Sequence, residues 1–291
     1  MGEYAYSAPT SVAEAVAMLK EHASQGVRTQ ILAGGTDLLV QLQGLDKEPR
    51  TIVDVKKIDD VNRLEIGAEE TFIGSAIPSA ILNENDQLKA LFPGLLEAAD
   101  LIGSTQIQGR ASIGGNLCNA SPAGDSIPAM IACSAVCVVA GSAGTRELPV
   151  EDFVTGVGKN ALEAGELLVG LKLRNPPERA SSAYLRFIPR TEMDIAVAGC
   201  GVALELDGSG TCTSARVAIG AVAPTALLVP DAAAALVGSK LDEAALAAAG
   251  VACSAAASPI SDKRGTADYR RKVVGVLCRR ATGIARDRAL A

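Results

Sequence analysis

The chain has no tryptophan, one histidine and an aromatic share of only 3%. So few rings do not make a base-stacking platform for nucleic acid. A net charge of −6 and a pI near 5.0 also remove the basic field that recruits nucleic acid. His22 is the sole imidazole, so a Ser-His-Asp or Cys-His mechanism would rest on one residue late in the first predicted helix. That placement argues against it, and no catalytic side chain is expected. The seven cysteines (118, 133, 137, 200, 212, 253, 278) include no CxxC pair, so no metal site is expected either. Reduced, mostly buried thiols are the expectation, and core packing accounts for Cys133 and Cys137 even if one helical turn separates them. No apolar run approaches the roughly 20 residues that a membrane span requires. The start, MGEYAYSAPTS, has neither the basic nor the apolar part of a secretory signal, so a cytoplasmic protein is expected. Neither GxGxxG nor GxxxxGK[ST] occurs, which argues against a Rossmann or P-loop enzyme.

What is present suffices for two cored domains: 291 residues, 48% of them hydrophobic. Ser11-Val-Ala-Glu14 has the form of a capping box and predicts a helix over about 12–22. Strands at 29–32 and 51–55 flank a second helix, a small α/β unit. A strand pair (64–66, 71–77), a helical region over 87–102 broken at Pro93-Gly94, a short helix at 127–132 and strands at 135–140, 147–150 and 166–173 follow. Asn175-Pro-Pro-Glu-Arg179 is the strongest linker signal and divides the chain into 1–176 and 177–291. Beyond it, strands at 183–188, 195–206 and 215–222, with a hairpin at Asp207-Gly-Ser-Gly210, precede helices at 230–237, 242–256 and 267–288.

Two glycine pairs stand out. ILAGGTDLL (31–39) carries Gly34-Gly35 between a strand and a helix starting at Thr36, and ASIGGNLCNASPAGD (111–125) carries Gly114-Gly115 with one carboxylate, Asp125, at its far end. A bare backbone admits close approach, and free amides at a helix start favour an anion such as a pyrophosphate. The amides at Ala33 to Thr36 and at Gly114 and Gly115, with the hydroxyls of Thr36 and Ser112, offer neutral donors to such a group. Asp37 is awkward beside a phosphate and reads as an acid turned away or toward a ribose. Asp125 suits sugar or ribityl hydroxyls, with an ordinary helix N-cap as the alternative. Asn116 and Asn119 can both donate and accept, so they suit a cofactor edge or a tight turn.

AGGTDLL (33–39), ASIGGNLCNASPAGDSIPAM (111–130), RFIPRTEMDIA (186–196) and DYRRKVVGVLCRRA (268–281) together resemble the FAD-binding medium subunits of molybdenum hydroxylases, the xanthine dehydrogenase and carbon monoxide dehydrogenase family. The resemblance covers essentially the whole chain. It implies a two-domain α+β flavoprotein: a vanillyl-alcohol-oxidase-type (PCMH) FAD domain, α/β in its first part, and a small carboxy-terminal domain of antiparallel sheet and helices. It further implies noncovalent FAD lined by Ile31, Leu32, Ala33, Gly34, Gly35, Thr36, Asp37 and Leu38, with Ser112, Gly114, Gly115, Asn119 and Asp125. Ile102 and Leu168 would add contacts, and Arg186 would reach the flavin as a cation near N1 and the C2 oxygen. The implied partners are a large molybdopterin subunit and a small subunit with two 2Fe-2S clusters, in a dimer of heterotrimers. Electrons would pass through the FAD to an external acceptor, and a stand-alone FAD oxidase is the alternative. Thr36-Asp37 departs from the His-Ser type usual in carbon monoxide dehydrogenases, which implies an organic substrate. The basic face of the last helix, Arg270 to Arg280, reads as solvated or as a subunit contact.

Overall fold

The computed structural model describes residues 4–44, 48–191 and 193–291. Residues 1–3 of the amino-terminal stretch, and Glu192 within RFIPRTEMDIA, lie outside it. The first helix, α1 (Val12–Ser24), starts where the capping signal places it, with Ser11 accepting from the Glu14 amide. The Glu14 carboxylate reaches back one residue further than a capping box requires, to the Thr10 amide and hydroxyl.

The strands β1 (Tyr4–Ser7), β2 (Thr29–Leu32) and β3 (Arg50–Asp54) form a parallel sheet in the order β1-β3-β2. Parallel neighbours need crossovers, and α1 and α2 (Leu38–Gly44) supply them. A second sheet is antiparallel, formed by β4 (Leu64–Ile66), β5 (Glu70–Gly74), β6 (Val136–Gly141), β7 (Gly144–Pro149) and, two strands later in the chain, Leu167–Arg174. That later strand is β10, since β8 (Val154–Gly156) and β9 (Lys159–Asn160) pair only with each other. Between β3 and β6 run the short helices α3 (Asp59–Asn62), α4 (Ser79–Asn83), α5 (Asp86–Leu91), α6 (Pro93–Asp100), α7 (Thr105–Gln108), α8 (Ile113–Asn119) and α9 (Ser126–Ala132). Pro93 divides α5 from α6 because it can begin a helix but not continue one.

The remainder is a four-stranded antiparallel sheet, β11 (Ala180–Phe187), β12 (Ala198–Leu206), β13 (Cys212–Gly220) and β14 (Leu227–Leu228). α10 (Val150–Phe153) precedes it in the chain, and α11 (Pro230–Leu236), α12 (Glu243–Ala256) and α13 (Ala267–Leu290) follow. Strand alternation divides this sheet into two faces. Cys200, Val202, Leu204, Val217 and Ile219 join Leu246, Cys253, Val274 and Cys278 of the helices in one apolar core. The opposite face is stripped of bulk so that α9 can lie on it: a β-carbon on Gly201 would stand 2.8 Å from the Pro128 carbonyl oxygen. The expected α+β architecture, α/β in its first part with antiparallel sheet and helices after it, is the one that forms.

Candidate functional site

The two glycine segments face each other across a cavity of ≈ 330 Å³. One wall comes from the turn between β2 and α2: Ile31, Ala33, Gly34, Gly35, Thr36, Asp37 and Leu38. The other comes from α8 and the residues before it: Ser112, Gly114, Gly115, Asn116 and Asn119, with Ile102, Ser75 and Leu168 closing the floor. Gln41 Nε2 joins the walls by donating to Asn119 Oδ1 over 3.2 Å. The second segment, read from sequence as a bare stretch, is a short helix whose N-cap is Ser112, accepting from the Gly115 amide at 3.0 Å.

The four glycines turn out to have different reasons. A β-carbon on Gly34 would lie 1.9 Å from the Arg110 carbonyl oxygen, and one on Gly114 would lie 2.4 Å from that of Ser75. Those two glycines admit protein backbone rather than a ligand. Gly35 takes φ +78°, the left-handed region that disfavours a side chain. Only Gly115 faces open space, with Ser112 Oγ at 3.0 Å as its one near neighbour.

Among the described residues Asp37 is the only charged side chain in the cavity wall, and it is exposed. Among the described residues, the amides of Gly34, Gly35, Thr36 and Gly114 donate to no protein acceptor. Asn116 Oδ1 accepts from the Ser126 hydroxyl at 2.8 Å, which leaves its amide group as a donor. Burial pushes the Cys118 thiol up to about 12, so it stands in the wall as a neutral group. Neutral, unpaired donors around a cavity suit an anion that must not be gripped by side-chain cations.

Leu32, Asp125 and Arg186 are not among the residues lining this cavity. Leu32 ends β2 with its side chain beneath Gly35, 2.8 Å from where a β-carbon would sit. Asp125 occupies the N-cap position of α9 in helical backbone (φ −59°, ψ −38°) but caps nothing. Its carboxylate instead receives Arg186 Nη1 at 2.7 Å and the Tyr184 hydroxyl at 2.8 Å. The Arg186 and Asp125 side chains are 6% and 8% exposed. Arg186 is therefore held within a buried ion pair, while among the described residues its Nε has no acceptor. Burial, then the Asp125 charge, push the Tyr184 phenol well above its ordinary range and keep it a donor. Burial likewise raises the Asp125 carboxyl, against the opposing pull of Arg186 and Tyr184. Sequence reading missed Tyr184. It lies two residues from Arg186 on β11, hence on the same face, and that spacing was the available signal.

Residues 2–175 match the FAD-binding domain in molybdopterin dehydrogenase, and residues 183–285 match the CO dehydrogenase flavoprotein C-terminal domain. The chain belongs to the molybdopterin dehydrogenase flavoprotein family. Within this family, the carbon monoxide dehydrogenase medium chain of Afipia carboxidovorans is 34% identical over 289 residues, 99% of this chain and 98% of that one. The nicotinate dehydrogenase FAD-subunit of Eubacterium barkeri is 31% identical, covering 83% of this chain and 82% of the relative. Relatives named for an inorganic and for an organic substrate thus lie at comparable identity. Reconstituted CO dehydrogenase from Oligotropha carboxidovorans contains a chain that superposes with a TM-score of 0.92 at 33% identity, covering 99% of both. A chain of quinoline 2-oxidoreductase from Pseudomonas putida 86 superposes at 0.89 with 26% identity, over 99% of this chain and 98% of that one. Membership of the flavoprotein family makes the chain an oxidoreductase subunit. No helix among the described residues is long and apolar enough to cross a membrane.

Proposed function

We propose that this chain is the FAD-carrying electron-transfer subunit of a molybdenum hydroxylase, a chain that orients its cofactor and leaves substrate oxidation to a partner. The observation that carries the reading is the cavity between the two glycine segments, lined among the described residues by unpaired amides and no cation. In this reading the FAD diphosphate lies between the amides of residues 33–36 and that of Gly114, with the backbone of Gly115, whose amide is held by Ser112 Oγ, passing beside it. Thr36 donates its hydroxyl. Ser112, whose oxygen already accepts from Gly115, still has its own O–H to give. Asn119 meets a polar edge of the cofactor, Ile31, Leu38, Ile102 and Leu168 supply apolar walls, and Asp37 points to solvent or ribose. The Asp125, Tyr184 and Arg186 unit stands beyond the lining as a polarised block that the flavin end would approach.

Bound FAD supplies reversible two-electron chemistry that can be divided into single-electron steps, which suits a relay between iron–sulfur clusters and an external acceptor. The chain's own residues hold it without a covalent bond, because the sole imidazole, His22, is not among the lining residues and pairs with Thr29 Oγ1 at 3.1 Å. The partners are a large molybdopterin subunit and a small 2Fe-2S subunit, assembled as a dimer of heterotrimers in the cytoplasm. The boundary between the FAD domain and the carboxy-terminal domain falls at residue 177.

Gentle purification from the native source tests this reading. The expected result is a visible flavin spectrum, FAD released into the supernatant on denaturation, and two co-purifying chains carrying molybdenum and iron. A yellow chain that runs alone and turns over a substrate without partners would replace the reading with a stand-alone oxidase. A chain that takes up no FAD when titrated with it would end both.

A further inference from the structure

Away from the cavity, three thiols converge in the core of the carboxy-terminal unit. Cys200 sits on the inner face of β12, Cys253 on α12 and Cys278 on α13, each with 0% exposure, and their sulfur atoms all lie within 4.8 Å of one another. Their spacing in sequence conceals this, since three separate elements supply them. A tight helix crossing brings them together. A β-carbon on Gly250 would stand 2.7 Å from the Gly275 carbonyl oxygen, and one on Gly275 would stand 2.5 Å from Ser254 Oγ. Ser254 Oγ closes the crossing by donating to the Arg271 carbonyl at 2.8 Å.

We propose that Cys200, Cys253 and Cys278 form a closed tris-thiolate site for a trivalent thiophilic metalloid of the arsenite class. Coordination number and charge select this class. Structural zinc sites are almost always four-coordinate. Among the described residues no fourth histidine, cysteine or carboxylate joins the group. Three thiolates on a monovalent copper ion would leave two net negative charges, and on a divalent ion one. The surrounding cluster is apolar and the buried Thr282 beside Cys278 is neutral, so neither charge is balanced there, and an uncompensated buried charge costs several kcal/mol. Three thiolates on trivalent arsenic or antimony are neutral. Arsenous acid gives up three As–O bonds and forms three As–S bonds, while the three thiol protons leave with the hydroxides as water. No oxidant or reductant is needed. A pyramidal tris-thiolate with bonds to sulfur of about 2.3 Å places its three sulfurs roughly 3.5 Å apart, so the set, already within 4.8 Å, must contract by no more than roughly 1.3 Å. Entry requires local opening of α12 or α13, and closure would tie the sheet to both helices.

The test uses the full-length chain in a phosphine reductant that does not compete for arsenic, incubated with sodium arsenite near its melting onset and then cooled. The expected product is one arsenic per chain by elemental analysis and a mass increase equal to one arsenic less three hydrogens. Thiolate-to-arsenic absorption in the ultraviolet and a raised melting temperature should accompany it. Cys253→Ala and Cys200→Ala should each lose the adduct, and Cys133→Ala, outside the cluster, should keep it. Two variants guard against one that misfolds, with circular dichroism as the folding control. No arsenic retained by the wild-type chain, or the same adduct in folded Cys253→Ala, would overturn the proposal.

Discussion

Replacing Gly115 with alanine, beside the same change at Gly114, separates the part of α8 that faces a cofactor from the part that faces the protein. At Gly114 the new methyl would meet the Ser75 carbonyl oxygen at 2.4 Å and its Cα at 2.6 Å, both backbone atoms that cannot swing away. Overpacking of that kind costs about 1–3 kcal/mol, and the better helix propensity of alanine returns about 1 kcal/mol. The net loss, up to about 2 kcal/mol, lowers the melting temperature of a chain this size by up to roughly 8 °C. At Gly115 the methyl meets only Ser112 Oγ, at 3.0 Å, a hydroxyl that can shift by a few tenths of an ångström. Stability without flavin should stay within about 1 kcal/mol of wild type. Under the proposed placement the methyl would stand in the diphosphate cradle, where about 1–3 kcal/mol of crowding corresponds to a roughly 5- to 150-fold weaker Kd for FAD. The assay is fluorescence titration of the flavin-free chain with FAD, alongside thermal melts with and without it. Affinity of Gly115→Ala within about twofold of wild type would refute the placement of the cofactor against α8.

Loss of either donor to Asp125 should be costly. Tyr184→Phe leaves one buried carboxylate oxygen without its donor and should cost about 1–3 kcal/mol, whereas Arg186→Ala leaves the charge unpaired and should cost about 3–5 kcal/mol. Chemical denaturation of these and of the Asp125→Ala/Arg186→Ala double variant should show strong non-additivity; independent effects would disprove the coupling. Glu166, bound by two Arg146 nitrogens at 2.7 Å, has its carboxyl held below the ordinary 4.5, chiefly by those hydrogen bonds. A depressed carboxyl stabilises above its unfolded pKa and loses that contribution as pH falls through the folded one. Glu166→Gln should therefore melt lower by about 1 kcal/mol at neutral pH, with the gap closing only in acid; a gap that widens in acid would contradict the sign. Cys118, its thiol at about 12 and set in the cavity wall, should resist iodoacetamide at pH 8 and resist it further with FAD bound. Rapid alkylation located by peptide mass analysis would show that the wall is open.

Local chemistry was legible in the sequence, and long-range partnership was not. Ser11 and Glu14 announced α1, Pro93 announced the break between α5 and α6, and the two glycine pairs pointed to opposite walls of one cavity. Each of those signals lies within a few residues of its effect. Which glycine admits a ligand was hidden, because Gly34 answers to Arg110 and Gly114 to Ser75, contacts that only the fold creates. The same limit applies to Asp125, whose partners lie 59 and 61 positions further along the chain. Read alone, a carboxylate before a helix looks like a cap or a ligand; in the fold it anchors a strand of the other unit. The three sulfurs of Cys200, Cys253 and Cys278 escaped notice for the same reason, since no spacing rule describes a cluster assembled from a strand and two helices.

The way the carboxy-terminal sheet is seated bears on how such a subunit can tune its cofactor. Gly94 would push a β-carbon to 2.7 Å from the Ala183 amide nitrogen, Gly201 to 2.8 Å from the Pro128 oxygen and Gly220 to 3.0 Å from the Pro128 ring. Backbone therefore rests on backbone at Gly94 and Gly201 and on the stiff Pro128 ring at Gly220, where α6 and α9 meet β11, β12 and β13. The Ala221 amide extends this contact to Pro122 at 2.8 Å, in the loop joining α8 to Asp125. Close-packed contacts of this kind move as a unit or not at all. Arg186 is carried by the sheet and Asp125 by the chain that continues from the glycine cradle, so their 2.7 Å bond closes a rigid loop through both units. A methyl added at one of these glycine contacts would shift that pair relative to the two glycine segments, and under the proposed placement of FAD it would act on the cofactor without touching a lining residue.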